Sequence, residues 1–404
     1  MPSIAIVVNS FPKISESFIL NKTRLLIESG YQVTVIAQNF EGDKAASALP
    51  ERVRMAYSPN AYKPWVRFWG VFLALAKNPL AFIALSKAHA FKGIKASAQL
   101  CVWYAPFAGK SFDIVHFAFS GLGVAYLPIL PFLKRKSWIY VSCRGHAEQI
   151  RPLLDPKRKA LLRTLFDLAD RVHCVSEDIL DTCKGYGLDA DKVFINRPAV
   201  DPAFFTTGGQ SAQPAGAPLK KGLRIATVGR LHWIKNHEIL LRSVQILIEK
   251  GVNVHLDIVG DGDEKQKLVF MAHLLDIAGH VTFHGNKTHR ELVSLLSGAD
   301  VYAHVSMSEG ISNAVMEAMS MQLPVVCTDA GGMNELICDG HDGFLVPVLD
   351  PAALADKLLL LASDPELGKA LGQRARQKIL NDFSLDRQRN VYREEYAQQL
   401  AKLR

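Results

Sequence analysis

The chain has no CxxC pair, no acidic residue from Arg52 to Phe112, and no apolar run long enough to span a membrane. Each absence excludes something. Its six cysteines (Cys101, Cys143, Cys174, Cys183, Cys327 and Cys338) are scattered over 404 residues without histidines at ligand spacing, which argues against a zinc site or a disulfide framework. We expect reduced, mostly buried thiols in a cytoplasmic protein. In the opening MPSIAIVVNSFP the apolar stretch IAIVV is too short for a signal-peptide core and reads as a first buried strand. No internal repeat or low-complexity tract breaks the pattern.

The missing acids concentrate charge. Arg52, Arg54, Lys63, Arg67, Lys77, Lys87, Lys92, Lys95 and Lys110 stand unopposed between residues 52 and 112, enough to account for the net charge of +8. The same segment carries WVRFWGVFLALAKNPLAFIALSKA, whose apolar runs are interrupted by Lys77 and Pro79 and fall short of the ~20 residues of a spanning helix. Two readings stay open. One is a helix lying on an anionic membrane surface, which would make the protein peripheral on the inner face of the cell membrane. The other is a helical pair packed on its own domain with lysines snorkelling to water. No nucleic-acid partner is expected. With 49% hydrophobic and 21% charged residues, the composition is that of an ordinary globular chain, and its length predicts two domains.

Strand-like runs alternate with helix-length segments throughout, which predicts an α/β chain with parallel sheets. IAIVV, QVTVIA, DIVHFAF, WIYVSC and RVHCVS serve the first half, and LRIATVG, VHLDIVG, HVTFHG, DVYAHVS and PVVCT the second. TTGGQSAQPAGAPLKKG between them reads as a linker. We therefore expect a first Rossmann-like domain over 1–205, a linker over 206–220, a second such domain over 221–380 and a closing helical segment over 381–404. Ligands of such folds sit at the carboxyl ends of the strands.

The turns at those ends carry the chemistry. In DVYAHVSMSEGISNAVMEAMSMQLPVVCTD a strand leads into a polar loop, Ser312 stands at an N-cap position and a helix starts near Asn313 and stops before Pro324. The start of a helix offers unpaired N–H groups and partial positive charge, which suits a diphosphate. Glu309 lies at its mouth and Glu317 about a turn inside, so the two carboxylates can take hydroxyls on either side of that diphosphate. The plainer alternative is that Glu309 favours the helix dipole and Glu317 is a solvated surface residue. In VGRLHWIKNHE, Arg230 and Lys235 follow a strand end, where two cations can neutralise charge on a leaving group. LDIVGDGDEKQKL contains Asp261-Gly262-Asp263, a DxD triplet that we read as a turn, because it closes a strand without a third acidic ligand nearby.

Together, EG followed by EAMS and LPVV, VGRLHWIK, and IVGDGD resemble the E-x7-E, VGRL-xxxK and IVGDGP elements of retaining, family 4 type glycosyltransferases of the GT-B fold. The resemblance implies two Rossmann-like domains facing across a cleft, with the C-terminal helix returning to the first. It also implies a nucleoside diphosphate sugar as donor and no metal or other cofactor. Arg230 and Lys235 would grip the donor diphosphate, with Gly229, Gly310, Ile311, Ser312 and Asn313 lining it, Glu309 on the donor sugar, Glu317 on the ribose, and Asn286 and Lys287 near the base. NSFPKISESFILNK is similar to an FPxxSExF opening found among bacterial exopolysaccharide and lipopolysaccharide glycosyltransferases, which points to Ser15 and Glu16. DIVHFAF resembles a DxxHxHF strand that keeps His116, with Ala118 in place of the second histidine. VSCRGHAEQ occupies the place of an RGxD segment, implicating Arg144, Gly145 and His146, with Glu148 near the acidic position. The acceptor implied is a saccharide or lipid-linked saccharide of cell-surface polysaccharide synthesis. Rival readings are a nucleotide-sugar epimerase or a phosphorylase on the same architecture, and a non-catalytic nucleotide-sugar-binding scaffold.

Overall fold

The computed structural model describes residues 1–11, 17–39, 53–57, 100, 102–206 and 222–402. Ser15 and Glu16, Cys101, most of the expected linker and most of the basic apolar segment lie outside them.

The chain forms two compact units, Met1–Asn196 with Arg389–Arg404, and Arg197–Gln388. The first is built on strands β1 (Ser3–Ser10), β2 (Gln32–Asn39), β3 (Arg54–Tyr57), β4 (Ile114–Phe117), β5 (Trp138–Cys143), β6 (Arg171–Cys174) and β7 (Val193–Ile195), in the sheet order β3-β2-β1-β4-β5-β6-β7. The second is built on β8 (Leu223–Val228), β9 (Val254–Val259), β10 (Val281–Gly285), β11 (Val301–His304), β12 (Val325–Thr328) and β13 (Phe344–Val346), ordered β10-β9-β8-β11-β12-β13. Every pairing in both sheets is parallel. In each unit the strand order reverses beside the first strand, β1 or β8, which opens a crevice at the carboxyl ends of the flanking strands.

Helices cover both faces, so the strands are continuous apolar runs, not alternating ones. On the first sheet, Tyr126, Leu130, Leu162 and Phe166 pack one face and Phe11, Ile19, Leu26 and Tyr140 the other. On the second, the helix His237–Glu249 buries Leu240, Val244 and Leu247 on one face, and the helix Asn313–Ser320 buries Val315, Met316 and Met319 on the other. Cys143, Cys174, Cys183 and Cys327 are free thiols inside these cores and Cys338 is exposed, in keeping with a mostly buried set among the described residues.

The units divide earlier than the expected boundary at residue 205, because residues 197–205 are bonded to the second unit. Arg197 pairs with Glu335 at 2.8 Å, Gln388 Nε2 donates to the Arg197 carbonyl at 3.0 Å, and Ser320 Oγ donates to the Phe205 carbonyl at 2.8 Å. The last helix, Leu385–Ala401, enters the first unit at Arg389. There Tyr392 and Tyr396 are buried in the core, and Glu395 accepts a two-pronged contact from Arg171 Nε and Nη2 at 2.7 and 2.8 Å. This agrees with the expected return of the terminal helix to the first domain, with the changeover at Arg389 in place of residue 381. Among the described residues no helix is long and apolar enough to cross a membrane.

One turn shows how closely the second sheet is packed at its carboxyl edge. Gly260 has φ +136°, and a Cβ there would stand 1.9 Å from the Gly229 carbonyl oxygen. Gly251 has φ +79° with nothing within 4 Å of its would-be Cβ. We expect Gly251→Ala to cost ~1–2 kcal/mol from left-handed strain alone. Gly260→Ala should lower the melting temperature by several degrees more, because backbone must also move. Equal losses in thermal denaturation would show that the close approach carries no energy.

Candidate active site

β8 ends at Val228, and the chain after it is clamped to the turn after β9. Gly229 N donates to the Val259 carbonyl at 2.9 Å, Leu231 N to the Asp261 carbonyl at 3.0 Å, and Glu264 N to the Leu231 carbonyl at 3.0 Å. The glycines of IVGDG are needed because a Cβ on Gly262 would come within 2.4 Å of the Leu231 carbonyl, as one on Gly260 would collide with Gly229. Asp261 Oδ1 accepts from Gly262 N at 2.9 Å, and Lys265 N donates to the Gly262 carbonyl at 3.1 Å, so the chain turns through the DxD triplet into the next helix. Among the described residues no group of three His, Cys, Asp or Glu is placed to hold a metal ion.

From this clamp the chain makes a short 3-10 turn, Trp233–Lys235, passes through Asn236 in the left-handed region (φ 50°) and enters the helix His237–Glu249. Arg230 is exposed at the turn. Lys235 is mostly buried and its Nζ donates to Glu309 Oε2, which comes from the loop after β11. A backbone bond from Met307 N to the Ile234 carbonyl at 2.8 Å fastens the two loops together beside that pair.

Glu309 sits in a cage. His304 Nε2, at the end of β11, lies 3.2 Å from Glu309 Oε2, and Ser306 Oγ donates to the same oxygen at 3.1 Å. Thr328 Oγ1, at the end of β12, donates to the Ser306 carbonyl at 2.6 Å, and the Glu309 carbonyl accepts from Gly332 N at 3.2 Å. Burial alone would raise the Glu309 carboxyl, but Lys235 and His304 outweigh it and hold it well below the usual carboxylate range. His237, whose buried Nδ1 has no partner, is pushed down to about 3 by burial and by the neighbouring His304 and Lys235, so it stays neutral at physiological pH. His304 is lowered as well, chiefly by burial. His237, His304, Ser306 and Thr328 were not foreseen from the sequence; the one signal for the last three was polar side chains at or just past the ends of otherwise apolar strands, and His237 opens the helix His237–Glu249.

The loop then passes through buried Gly310, Ile311 and Ser312 into the helix Asn313–Ser320. Ser312 occupies the N-cap position, as expected, although its hydroxyl makes no capping bond. Glu317 projects from the first turns of this helix, half-buried and without a hydrogen-bond or ion-pair partner among the described residues. It is therefore not the solvated surface residue of the plainer alternative. Burial pushes its carboxyl up to about 8. Asn286 is exposed in the turn after β10, and Lys287 beside it donates to Glu291 at 3.2 Å, next to the capping box formed by Thr288 and Glu291.

In the first unit, Arg144, Gly145 and His146 line a cavity of about 480 Å³ at the carboxyl ends of β1, β2, β4 and β5. Gly145 has φ +133°, which aims its N–H and that of Arg144 at Glu148 Oε2, at 2.9 and 3.2 Å. The Arg144 guanidinium stacks over Phe18 at 4.1 Å and its Nε donates to the Ala118 carbonyl at 3.1 Å. His146 is exposed. The assignment of His116 to substrate contact is corrected: its ring is fully buried. Lys22 Nζ lies 2.8 Å from His116 Nδ1, Ser142 Oγ 2.8 Å from Nε2, and Tyr396 OH also meets Nδ1. Burial, then Lys22, hold His116 well below its ordinary pKa, so it acts as a neutral interior link between the sheet and the terminal helix.

The isolated Glu317 carboxyl gives a pH test. An unfolded glutamate titrates near 4.5 and the folded one near 8, so the folded state holds the proton more tightly. Stability is full below the lower value, declines as pH rises toward 8 and is level beyond. Glu317→Gln removes the penalty. We expect its melting temperature to match wild type at pH 5 and exceed it by several degrees at pH 8.5; an equal difference at both would assign the carboxyl an ordinary pKa.

Comparison with known proteins agrees with this geometry. The family model for glycosyl transferases group 1 matches residues 211–378, and that for glycosyltransferase family 4 matches residues 15–204. A D-inositol 3-phosphate glycosyltransferase of Corynebacterium urealyticum is 32% identical over 67% of this chain and 68% of its own. The amylovoran biosynthesis glycosyltransferase AmsK of Erwinia amylovora is 29% identical over 93% and 94% of the two chains. The fold of Anabaena HepE, solved with UDP and glucose, superposes with a TM-score of 0.72 at 18% identity, covering 98% of this chain and 99% of that one. Two parallel Rossmann-like halves, with the expected motifs at their strand ends, thus make this chain a member of the group 1 and family 4 glycosyltransferases of the GT-B fold.

Proposed function

We propose that the protein transfers a glycosyl group from a nucleoside diphosphate sugar to a saccharide or lipid-linked saccharide, with retention at the anomeric carbon and without a metal ion. The observation that carries this reading is the Lys235–Glu309 pair, held at the carboxyl ends of β8 and β11 ahead of the helix Asn313–Ser320. The first amides of that helix and the Arg230 and Lys235 cations form one positive surface for a diphosphate. Glu309 takes hydroxyls of the donor sugar and Glu317 the ribose, to which its unpartnered carboxyl offers hydrogen bonds. That HepE holds UDP and glucose on the same fold supports such a donor, and the amylovoran biosynthesis role of AmsK supports a polysaccharide as product.

In the reaction the bond from the anomeric carbon to the diphosphate oxygen breaks while a bond to the acceptor oxygen forms on the same face. The departing diphosphate takes the acceptor proton. No carboxylate nucleophile is needed. Lys235 contributes most as charge gathers on the leaving group, because its interaction strengthens toward the transition state. In the resting protein Glu309 balances that cation, and the cage around Glu309 keeps the carboxylate ionised and in place.

Lys235→Ala should keep the far-UV spectrum of the wild type and lower the turnover of a UDP-, GDP- or ADP-sugar, in hydrolysis or transfer, by about 10²–10³-fold in kcat. Unchanged kcat in a variant that folds would remove Lys235 from the mechanism. Absence of any turnover by the wild type, with or without oligosaccharide acceptors, would favour a non-catalytic scaffold.

A further inference from the structure

In the resting protein the Lys235 ammonium is spent on Glu309 Oε2, yet the proposed transfer needs the same cation on the leaving diphosphate. One ammonium cannot hold both anions through the reaction. A carboxylate that loses its cation while largely withdrawn from water is strongly destabilised unless another donor meets it. Two further contacts fall on the same oxygen, from His304 Nε2 at 3.2 Å and Ser306 Oγ at 3.1 Å. An ionised carboxylate only accepts, so the His304 nitrogen that faces it carries a hydrogen. Ser306 Oγ lies 3.1 Å from that nitrogen and gives its own proton to Glu309, which closes a triangle of His304, Ser306 and the carboxylate. Among the described residues nothing bonds Glu309 Oε1, which leaves that oxygen for a ligand.

Lys235 and His304 differ in how they are held. Lys235 reaches Oε2 from a 3-10 turn on a four-carbon stem, whose rotations can redirect its charge. His304 is the last residue of β11, in register with Cys327 of β12, and exposes only 3% of its surface. Its ring lies nearly parallel to that of Tyr302, with centroids 6.3 Å apart, and the Tyr302 hydroxyl is anchored on the Val228 carbonyl at 3.2 Å. The lysine can leave the carboxylate and the imidazole cannot. Burial keeps His304 neutral, so it supplies a hydrogen bond without competing with Lys235 for the negative charge.

We propose that His304 is a positioning residue: when Lys235 turns from Glu309 to the donor diphosphate, the His304 N–H, backed by Ser306, holds Oε2 so that Oε1 stays directed at the donor sugar. The role in transfer rests on the glycosyl-transfer reading, whereas the exchange of partners on Glu309 can be measured without turnover. Lys235→Met stands in for the withdrawn lysine, and a double-mutant cycle on the full-length protein at pH 7 reads what His304 then does. His304→Leu should shift the melting temperature at least about 3 °C further downward in the Lys235→Met background than in wild type. His304→Gln, which keeps an N–H at similar reach, should recover most of that difference. Equal shifts in the two backgrounds would overturn the exchange. With a UDP-, GDP- or ADP-sugar as donor, His304→Leu should lower kcat about tenfold or more while donor KM stays within about twofold, and His304→Gln should restore most of kcat. Unchanged kcat, or the same loss in the Leu and Gln variants, would overturn the positioning role and leave the glycosyl-transfer reading standing. A wild type without turnover would instead remove that reading, and the melting-temperature cycle would then decide the exchange of partners by itself.

Discussion

The second unit is organised around one ion pair. Lys235 and Glu309 come from loops at the carboxyl ends of neighbouring parallel strands, and both are mostly withdrawn from water. Burying two opposite charges contributes little net stability, because desolvation offsets their attraction. The surrounding groups make the arrangement tenable: His304 and Ser306 address the carboxylate, Thr328 fixes the Ser306 backbone, and the Met307–Ile234 backbone bond holds the loops at one separation. Such a site keeps a cation and a carboxylate oriented before any ligand arrives. That preorganisation is what a reaction releasing a multiply charged group requires.

The fold supplies the positions. Parallel strands with helices on both faces bring the ends of β8, β9, β11 and β12 to one edge, and the close contact of Gly260 with Gly229 brings the first two turns together there. In the first unit the same topology gathers the ends of β1, β2, β4 and β5 around a cavity. A buried chain of Lys22, His116, Ser142 and His173, ending on the Asn196 carbonyl, runs through that sheet, and Tyr396 of the terminal helix joins it at His116. The chain leaves the first unit after Asn196 and returns at Arg389, so its exit and re-entry are both tied into this one network.

Much of this was legible in the sequence where the signal is local. Buried parallel strands announce themselves as apolar runs, and turn glycines that admit no side chain leave the IVGDG pattern. The short strands β3 and β13 escaped notice because four and three residues carry no readable period. The site was legible as far as motif spacing reached, which covers Arg230, Lys235, Glu309 and Glu317. It was not legible where the determinant is burial among distant segments. His237 and His304 look like ordinary polar residues beside apolar runs, and His116 looks like a ligand until a lysine and a tyrosine from far along the chain fill its surroundings. Arg158 lies in KRKALLR, which reads as a solvated helix face, and its burial beneath Gly121 depends on packing that no local pattern encodes.

The most direct test of the central claim is a crystal structure of the protein soaked with UDP in the presence of EDTA. The account predicts the β-phosphate within hydrogen-bond reach of Lys235 Nζ and of the first amides of the helix Asn313–Ser320, with the ribose hydroxyls on Glu317. A nucleotide bound away from β8 and β11, or one that leaves Lys235 and Glu317 without contacts to it, would contradict it.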